Sequence, residues 1–297
     1  MTEEPLPETH GEELQEELER VRLWEELERL REERRQLRAR MHSRPTISRA
    51  QGMLQERYGL PDAESAFALL QRASQQYNVK LRSLAVAVVS VPRPDERAPL
   101  WFPRRARHAE PGLSFAETDR SRGANRGEVL GAVLSQTLAV VGTDMGNVQI
   151  ADRSTGGLLI EKHTGLTADF VDFFGHVGDD GTACALAAQR VAQVTVQDVA
   201  TDPVFDEAAR SAILRAGSRA CHSVPLTAAP GVCVGMVSAH LERPVRELTP
   251  AQLKALEIVG VEAGRWLAWY DHTVVLDALE YLHALGRARS GRRARRQ

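Results

Sequence analysis

The sequence predicts a multidomain fold: an all-α N-terminal part, made of a coiled coil and a three-helix bundle, followed by an α+β domain whose mainly antiparallel sheet is flanked by helices. Three observations predict it. Residues 11–42 are a run of Glu, Leu, Arg and Gln with neither Gly nor Pro after Gly11, a composition that favours one long helix. Between Arg44 and Ser90 three short helical patterns are separated by two compact turns. From Gly127 onward helical patterns alternate with strand patterns, as in an α+β domain. A chain of 297 residues has room for about two domains.

Taken in order, residues 11–43 form the expected coiled-coil helix. Leu14, Leu18 and Val21 make one apolar seam; Leu23, Leu27, Leu30, Leu37 and Met41 make a second, with Arg34 at one seam position. Such a seam needs a partner, and a homodimer is expected. Residues 44–91 are the helical bundle. Ile47, Ala50, Leu54 and Tyr58 recur at helical spacing up to Gly59. Asp62 is placed to cap a second helix bearing Ala66, Leu70, Ala73 and Tyr77, which Asn78 closes. Leu81, Leu84, Ala85 and Val88 line a third helix that stops before Pro92.

Residues 92–126 read as a mobile linker, with Pro in the first half and Arg, Ser and Gly in the second; Trp101 and Phe102 within it either dock on a neighbour or are incidental. Residues 127–272 make the α+β domain. Its parts are a helix over GEVLGAVLSQTLAVVG, a hairpin over NVQIADRSTGGLLIEKHTG, short helices at ADFVDFF and FDEAARSAILRAG, and strands at RVAQVTVQDV, ACHSVPLT and GVCVGMVSAHL. A long closing helix begins at Thr249–Pro250. Residues 273–297 are a C-terminal helix and a disordered basic tail, the last eleven residues holding six Arg and no acid.

The net charge of −2 conceals an uneven distribution. The first part of the chain is acidic, whereas residues 44–90 carry six bases against three acids, or +3. A basic module in a slightly acidic chain suits an anionic partner. No apolar run approaches the ~18 residues of a membrane span, and the acidic N-terminus lacks the apolar core of a signal peptide. A cytoplasmic protein without a membrane partner is expected. Cys184, Cys221 and Cys233 are too few and too scattered for a disulfide framework or a zinc knuckle. No P-loop, nucleophile–base pair or paired-carboxylate motif is found, so no enzyme and no metal site is expected.

The bundle carries the order A-x-G-x-L (Ala50, Gly52, Leu54), then A-F-x-L-L-x-R-A (Ala66 to Ala73), then N-x-K-L-x-x-L-A (Asn78 to Ala85). This order resembles the ANTAR domain, a three-helix module that follows a coiled coil. The resemblance implies binding of paired RNA stem-loops in leader transcripts, which prevents an overlapping terminator from forming. It assigns Arg49, Gly52, Arg57, Arg72, Asn78, Lys80 and Arg82 to RNA. Gly52 inside a helix marks a close approach, either of the third helix or of an RNA backbone. Phe67 reads as core, and Tyr58 and Tyr77 are candidates for stacking on loop bases.

The second half carries D-M-G-N-V-Q-I (Asp144 to Ile150), D-F-F-G-H-V (Asp172 to Val177), D-G-T-A-C (Asp180 to Cys184), V-Q-D-V-A-T-D-P-V-F (Val196 to Phe205), R-A-C-H-S-V-P-L (Arg219 to Leu226) and G-M-V-S-A-H (Gly235 to His240). These strings resemble the GAF domain, a sensor fold. The resemblance implies a small-molecule effector but leaves the ligand unknown, since GAF domains accept cyclic nucleotides, tetrapyrroles, haem, iron and small metabolites. The Asn-Lys-Phe-Asp-Glu set of the cyclic-nucleotide subgroup is missing. Asn147, Phe174, Cys184, Cys221, His222 and His240 are the candidate pocket residues. The cysteines and histidines fit a redox or metal sensor, or, more simply, buried small residues and hydrogen-bonded rings. The expected protein is a dimeric RNA-binding antitermination regulator with a GAF sensor. The alternative is a dimeric signalling scaffold that binds a small molecule and no RNA.

Overall fold

The helical and strand patterns of the sequence become two compact units in a computed structural model, residues 1–46 and 47–297. The structure describes residues 17–23, 26, 29–30, 45–95, 98–116, 125–152, 156–178, 181–245 and 247–294. In the first unit the described positions are helical, and Glu26 pairs with Arg29. Leu18, Val21, Leu23 and Leu30 are all exposed there. The seam positions Leu14, Leu27, Arg34, Leu37 and Met41 lie outside the described residues.

The second unit opens within a helix over residues 45–58 (α1). Gly59, at φ +58, turns the chain where other residues would be strained. The next helix, Ala63–Tyr77 (α2), begins where Asp62 accepts the Ser65 N–H at 2.7 Å, a bond that also holds the Asp62 carboxyl below its usual pKa. It ends at Asn78 in the left-handed conformation. The third helix is Leu81–Ser90 (α3). Leu54, Leu69, Leu70 and Leu84 are fully buried between these helices, as are Leu279 and Leu282 from the far end of the chain. The bundle is therefore completed by a fourth helix.

That fourth helix continues from the α+β domain. The domain's sheet has six strands: Met145–Ala151 (β1), Leu158–Thr164 (β2), His176–Val177 (β3), Val194–Val196 (β4), Ala220–Ala229 (β5) and Val232–Leu241 (β6). They pair antiparallel throughout in the order β3-β2-β1-β6-β5-β4. One face packs on helices Arg126–Val141 (α4) and Pro250–Tyr270 (α8), through Val148, Val224, Val237 and Trp266. The other face packs on Ala168–Phe173 (α5), Ala183–Arg190 (α6) and Glu207–Arg215 (α7), through Phe170, Ile213 and Met236. α8 starts with a capping box in which Thr249 and Gln252 bond reciprocally and Pro250 takes the first turn. It then widens into a π segment, Asp271–Val275, and continues as Leu276–Ala294 (α9), so the basic tail is helical as far as Ala294. α9 lies close enough to α1 that a Cβ on Gly286 would fall 2.7 Å from the Tyr58 ring.

Where the sequence suggests a mobile linker, residues 98–116 are bound along α8 and α9. The N–H groups of Trp101 and Phe102 donate to the Glu280 carboxylate at 2.7 and 2.8 Å. Arg105 and Arg107 both pair with Asp277, Ser114 N–H donates to Glu262, and Trp266 Nε1 donates to Glu110 at 2.8 Å. A proline-rich extended chain has no internal partners for its amides, and helix carboxylates supply them. No helix among the described residues is long and apolar enough to cross a membrane.

Candidate functional site

The basic residues of the bundle fall into two sets. Arg49, Gly52 and Arg72 are exposed, and neither arginine has an ion-pair partner among the described residues. Arg49 and Gly52, three apart on α1, share a face. A Cβ on Gly52 would meet no atom within 4 Å, so packing of the third helix does not explain this glycine. Asn78 is exposed as well; it caps α2, and its carbonyl accepts the Tyr270 hydroxyl at 3.2 Å.

The second set is engaged. Lys80 Nζ pairs with Glu161 at 2.8 Å, and Arg82 Nη2 pairs with Asp152 at 2.7 Å, both acids standing on or beside the sheet hairpin. Arg126, at the start of α4, bonds Glu161 at 3.0 Å and Ser83 at 3.2 Å and so ties the same acid to α3. Arg57 is buried with its Cζ 4.7 Å from the Trp101 ring centroid, where burial pushes its pKa down. It cannot reach a solvent-borne phosphate in this arrangement. Tyr58 is also buried, its hydroxyl 2.8 Å from His283 Nδ1, and is not available for stacking. Tyr77 lies against Tyr281, and Phe67 is half-buried outside the core.

On the sheet face covered by α5–α7, Asn147, Phe174, Cys184, Cys221 and His240 come together around a cavity of about 20 Å³. That is room for about one water. Gln149, Ser223 and Thr182 also line it, and the sequence reading missed them; the strand period that places Asn147 inward places Gln149 inward too. The same period removes His222. Standing next to Cys221 on β5, it points to the opposite face, bonded to Thr195 Oγ1 at 2.8 Å and Gln193 Oε1 at 2.9 Å. Asn147 Oδ1, both Gln149 amide atoms and His240 Nε2 are buried without a hydrogen-bond partner among the described residues. Burial pulls His222 and His240 down to about 4, so both rings are neutral near pH 7. It pushes the Cys184 and Cys221 thiols up, which makes them poor nucleophiles and poor metal ligands. Among the described residues no His, Cys, Asp or Glu group is placed to hold a metal ion.

A small helical module with exposed cations, joined to a six-stranded antiparallel sheet with helices on both faces, defines a two-module regulator. Its parts are an ANTAR domain, whose family model matches residues 35–89, and a GAF domain, whose family model matches residues 125–265. The first is an RNA-binding antitermination module and the second a signal-sensing one. No curated protein matches the chain. Among solved structures, a GAF domain/HD domain protein from Geobacter sulfurreducens is similar at 16% identity and a TM-score of 0.42, over 50% of this chain and 95% of that one. The GAF domain of a phosphoenolpyruvate-protein phosphotransferase from Coxiella burnetii is similar at 13% identity and a TM-score of 0.42, over 50% and 86%. A free methionine-R-sulfoxide reductase from Neisseria meningitidis is similar at 18% identity and a TM-score of 0.35, over 53% and 96%.

Proposed function

We propose that this chain is a cytoplasmic, homodimeric antitermination regulator that holds tandem stem-loops in leader transcripts, and that its GAF domain biases RNA binding. One observation carries the reading: Lys80 and Arg82, two cations that the ANTAR resemblance assigns to RNA, are held by Glu161 and Asp152 of the sensor. RNA phosphates and sensor carboxylates then compete for the same groups, and whatever shifts the sensor shifts that competition. Arg49, Gly52 and Arg72 offer a first landing surface that needs no rearrangement. Two hairpins call for two modules, and the exposed Leu18, Val21, Leu23 and Leu30 of the N-terminal helix supply a seam for a second copy of the chain.

The test is a mobility shift with a leader RNA carrying two adjacent hairpins. The expected result is a specific complex of two protomers. Arg72→Ala with Lys80→Ala should weaken it at least tenfold and lower the salt slope by roughly 0.7–0.9 per lost contact. Full affinity in that double variant overturns the assigned site. The engaged state of Lys80, Arg82 and Arg57 also favours a second reading, a dimeric scaffold in which these pairs never open. A dimer in sedimentation that shifts no hairpin RNA at any concentration would establish it.

A further inference from the structure

The helix that completes the bundle also carries the most basic stretch of the chain. Tyr281 of α9 lies against Tyr77 at the end of α2, and Arg289 Nη1 reaches the Ser65 carbonyl at its start, at 3.5 Å. α9 therefore runs antiparallel along α2. Between these points His283 Nδ1 lies 2.8 Å from the Tyr58 hydroxyl of α1. Gly286 lets the two helices touch, since a Cβ there would fall 2.7 Å from the Tyr58 ring. A glycine inside a helix costs about 1 kcal/mol relative to alanine, and the close seat of α9 on α1 offsets that cost. α1 meets the same end of α2, where Gln51 Nε2 donates to the Ala63 carbonyl at 3.0 Å. Three helices thus converge on the first turn of α2.

Positive charge gathers at that point. Residues 45–58, 62–77 and 284–294 hold seven arginines against Glu56, Asp62 and Glu64. Glu56 pairs with Arg93, and Asp62 is engaged by the Ser65 N–H. Arg72 and Arg289 have no ion-pair partner among the described residues. Arg72 follows Ser65 by seven residues, or two turns, so it stands on the face of α2 that Arg289 reaches, about 10 Å further along. Beyond Arg289 the helix continues to Ala294 and carries Arg292 and Arg293 past the start of α2. Like charges gathered in this way repel, so the fold alone gains nothing from them.

We infer that the arginine-rich end of α9 is a second RNA-contacting element, which holds phosphates of the hairpin that Arg49 and Arg72 approach. The inference rests on the RNA-binding reading above and deepens it. RNA is held by a helix that begins in the sensor as α8, and not by the bundle alone. Phosphate contacts position the RNA and carry no sequence information, so α9 adds affinity to different hairpins in equal measure.

The experiment uses the full-length protein, a leader RNA with two adjacent hairpins, and a two-hairpin RNA of unrelated sequence. Glutamine keeps the helix propensity of arginine and removes only the charge. In the triple variant Arg289→Gln, Arg292→Gln, Arg293→Gln, affinity for both RNAs should fall at least tenfold at about 0.1 M salt. The slope of log K against log salt should drop by about 2–3. Lysine at the same three positions should restore affinity to within about threefold, because a phosphate accepts from either cation. Full affinity and an unchanged slope in the glutamine variant overturn the inference, and the complex formed by the unaltered protein then still supports the antitermination reading. A loss confined to the leader RNA means base readout by α9 and overturns the phosphate assignment. Unchanged RNA binding with a weakened dimer in sedimentation assigns the basic end instead to the Glu-rich N-terminal segment of a second copy. An unaltered protein that shifts neither RNA overturns both readings together.

Discussion

The two cavities beside β1 solve the problem of buried polarity in opposite ways. Inside the sensor the polar groups are neutral: two amides, a threonine, a serine and a histidine deprived of its charge by desolvation. At the junction of sensor and bundle, in a cavity of about 200 Å³ between α3, β1, β2 and the π segment, the groups are charged, two arginines beside three carboxylates, and the space is ten times larger. A neutral interior can close down to the size of one water at little cost. Paired charges need room, partial solvent and partners on both sides, so the charged site falls where two modules meet. The difference separates a closed neutral interior from a charged seam at which two cations of the bundle, Lys80 and Arg82, are paired with Glu161 and Asp152.

Acid gives the largest expected effect and tests the neutral side. His222 and His240 stay uncharged in the fold down to about pH 4, while the unfolded chain takes up protons near the ordinary value of 6.5. Between these values the unfolded state binds more protons, so stability is fully present above about pH 6.5 and is lost as the pH falls toward 4. The loss should be about 2 kcal/mol per histidine at pH 5 and approach roughly 3 kcal/mol toward pH 4. Chemical unfolding at pH 7.5 and 5.0 measures it, and a flat profile would mean that these rings are solvated. Next in size is Trp101→Ala. Here a cation, Arg57, is sheltered by an aromatic face in place of a carboxylate. Losing that buried ring should cost about 3–5 kcal/mol in a urea titration; a loss under about 1 kcal/mol would show that residues 98–116 do not hold the bundle to α9.

The smallest effect sharpens the charged side. Asp152→Asn removes the partner of Arg82 while keeping the shape of the site. Stability should fall by about 1–3 kcal/mol, less than for a fully buried pair because Arg82 is 26% exposed. RNA should bind about tenfold more tightly, because the docked state loses its hold on that guanidinium. Weaker RNA binding in this variant would mean that Asp152 positions Arg82 for RNA instead of withholding it.

Much of the helical architecture is legible in local signals. Asp62, Asn78 and Thr249 mark helix ends through bonds made within a few residues, and such bonds depend on nothing distant. The antiparallel sheet follows from alternating strands and short turns. The helix at Ala183–Arg190 was missed although Thr182 caps it by accepting the Ala185 N–H, a signal present in the sequence. The grouping of Cys221 with His222 ignored the two-residue period of a strand, which sends neighbours to opposite faces. The bound state of residues 98–116 had no local sign, because its partners Glu280, Asp277 and Glu262 lie far along the chain.

By itself the sequence determined the elements, their caps, their apolar faces and the two domain types, since these rest on periodicity and on bonds between near neighbours. Only the tertiary structure decided which cations of the bundle are free. Lys80 and Arg82 meet acids that are 81 and 70 residues away, and Arg57 meets an indole in a segment with no helical or strand pattern of its own. Charge is a property of the residue, but its availability depends on what the fold brings beside it, and no local pattern encodes that distance.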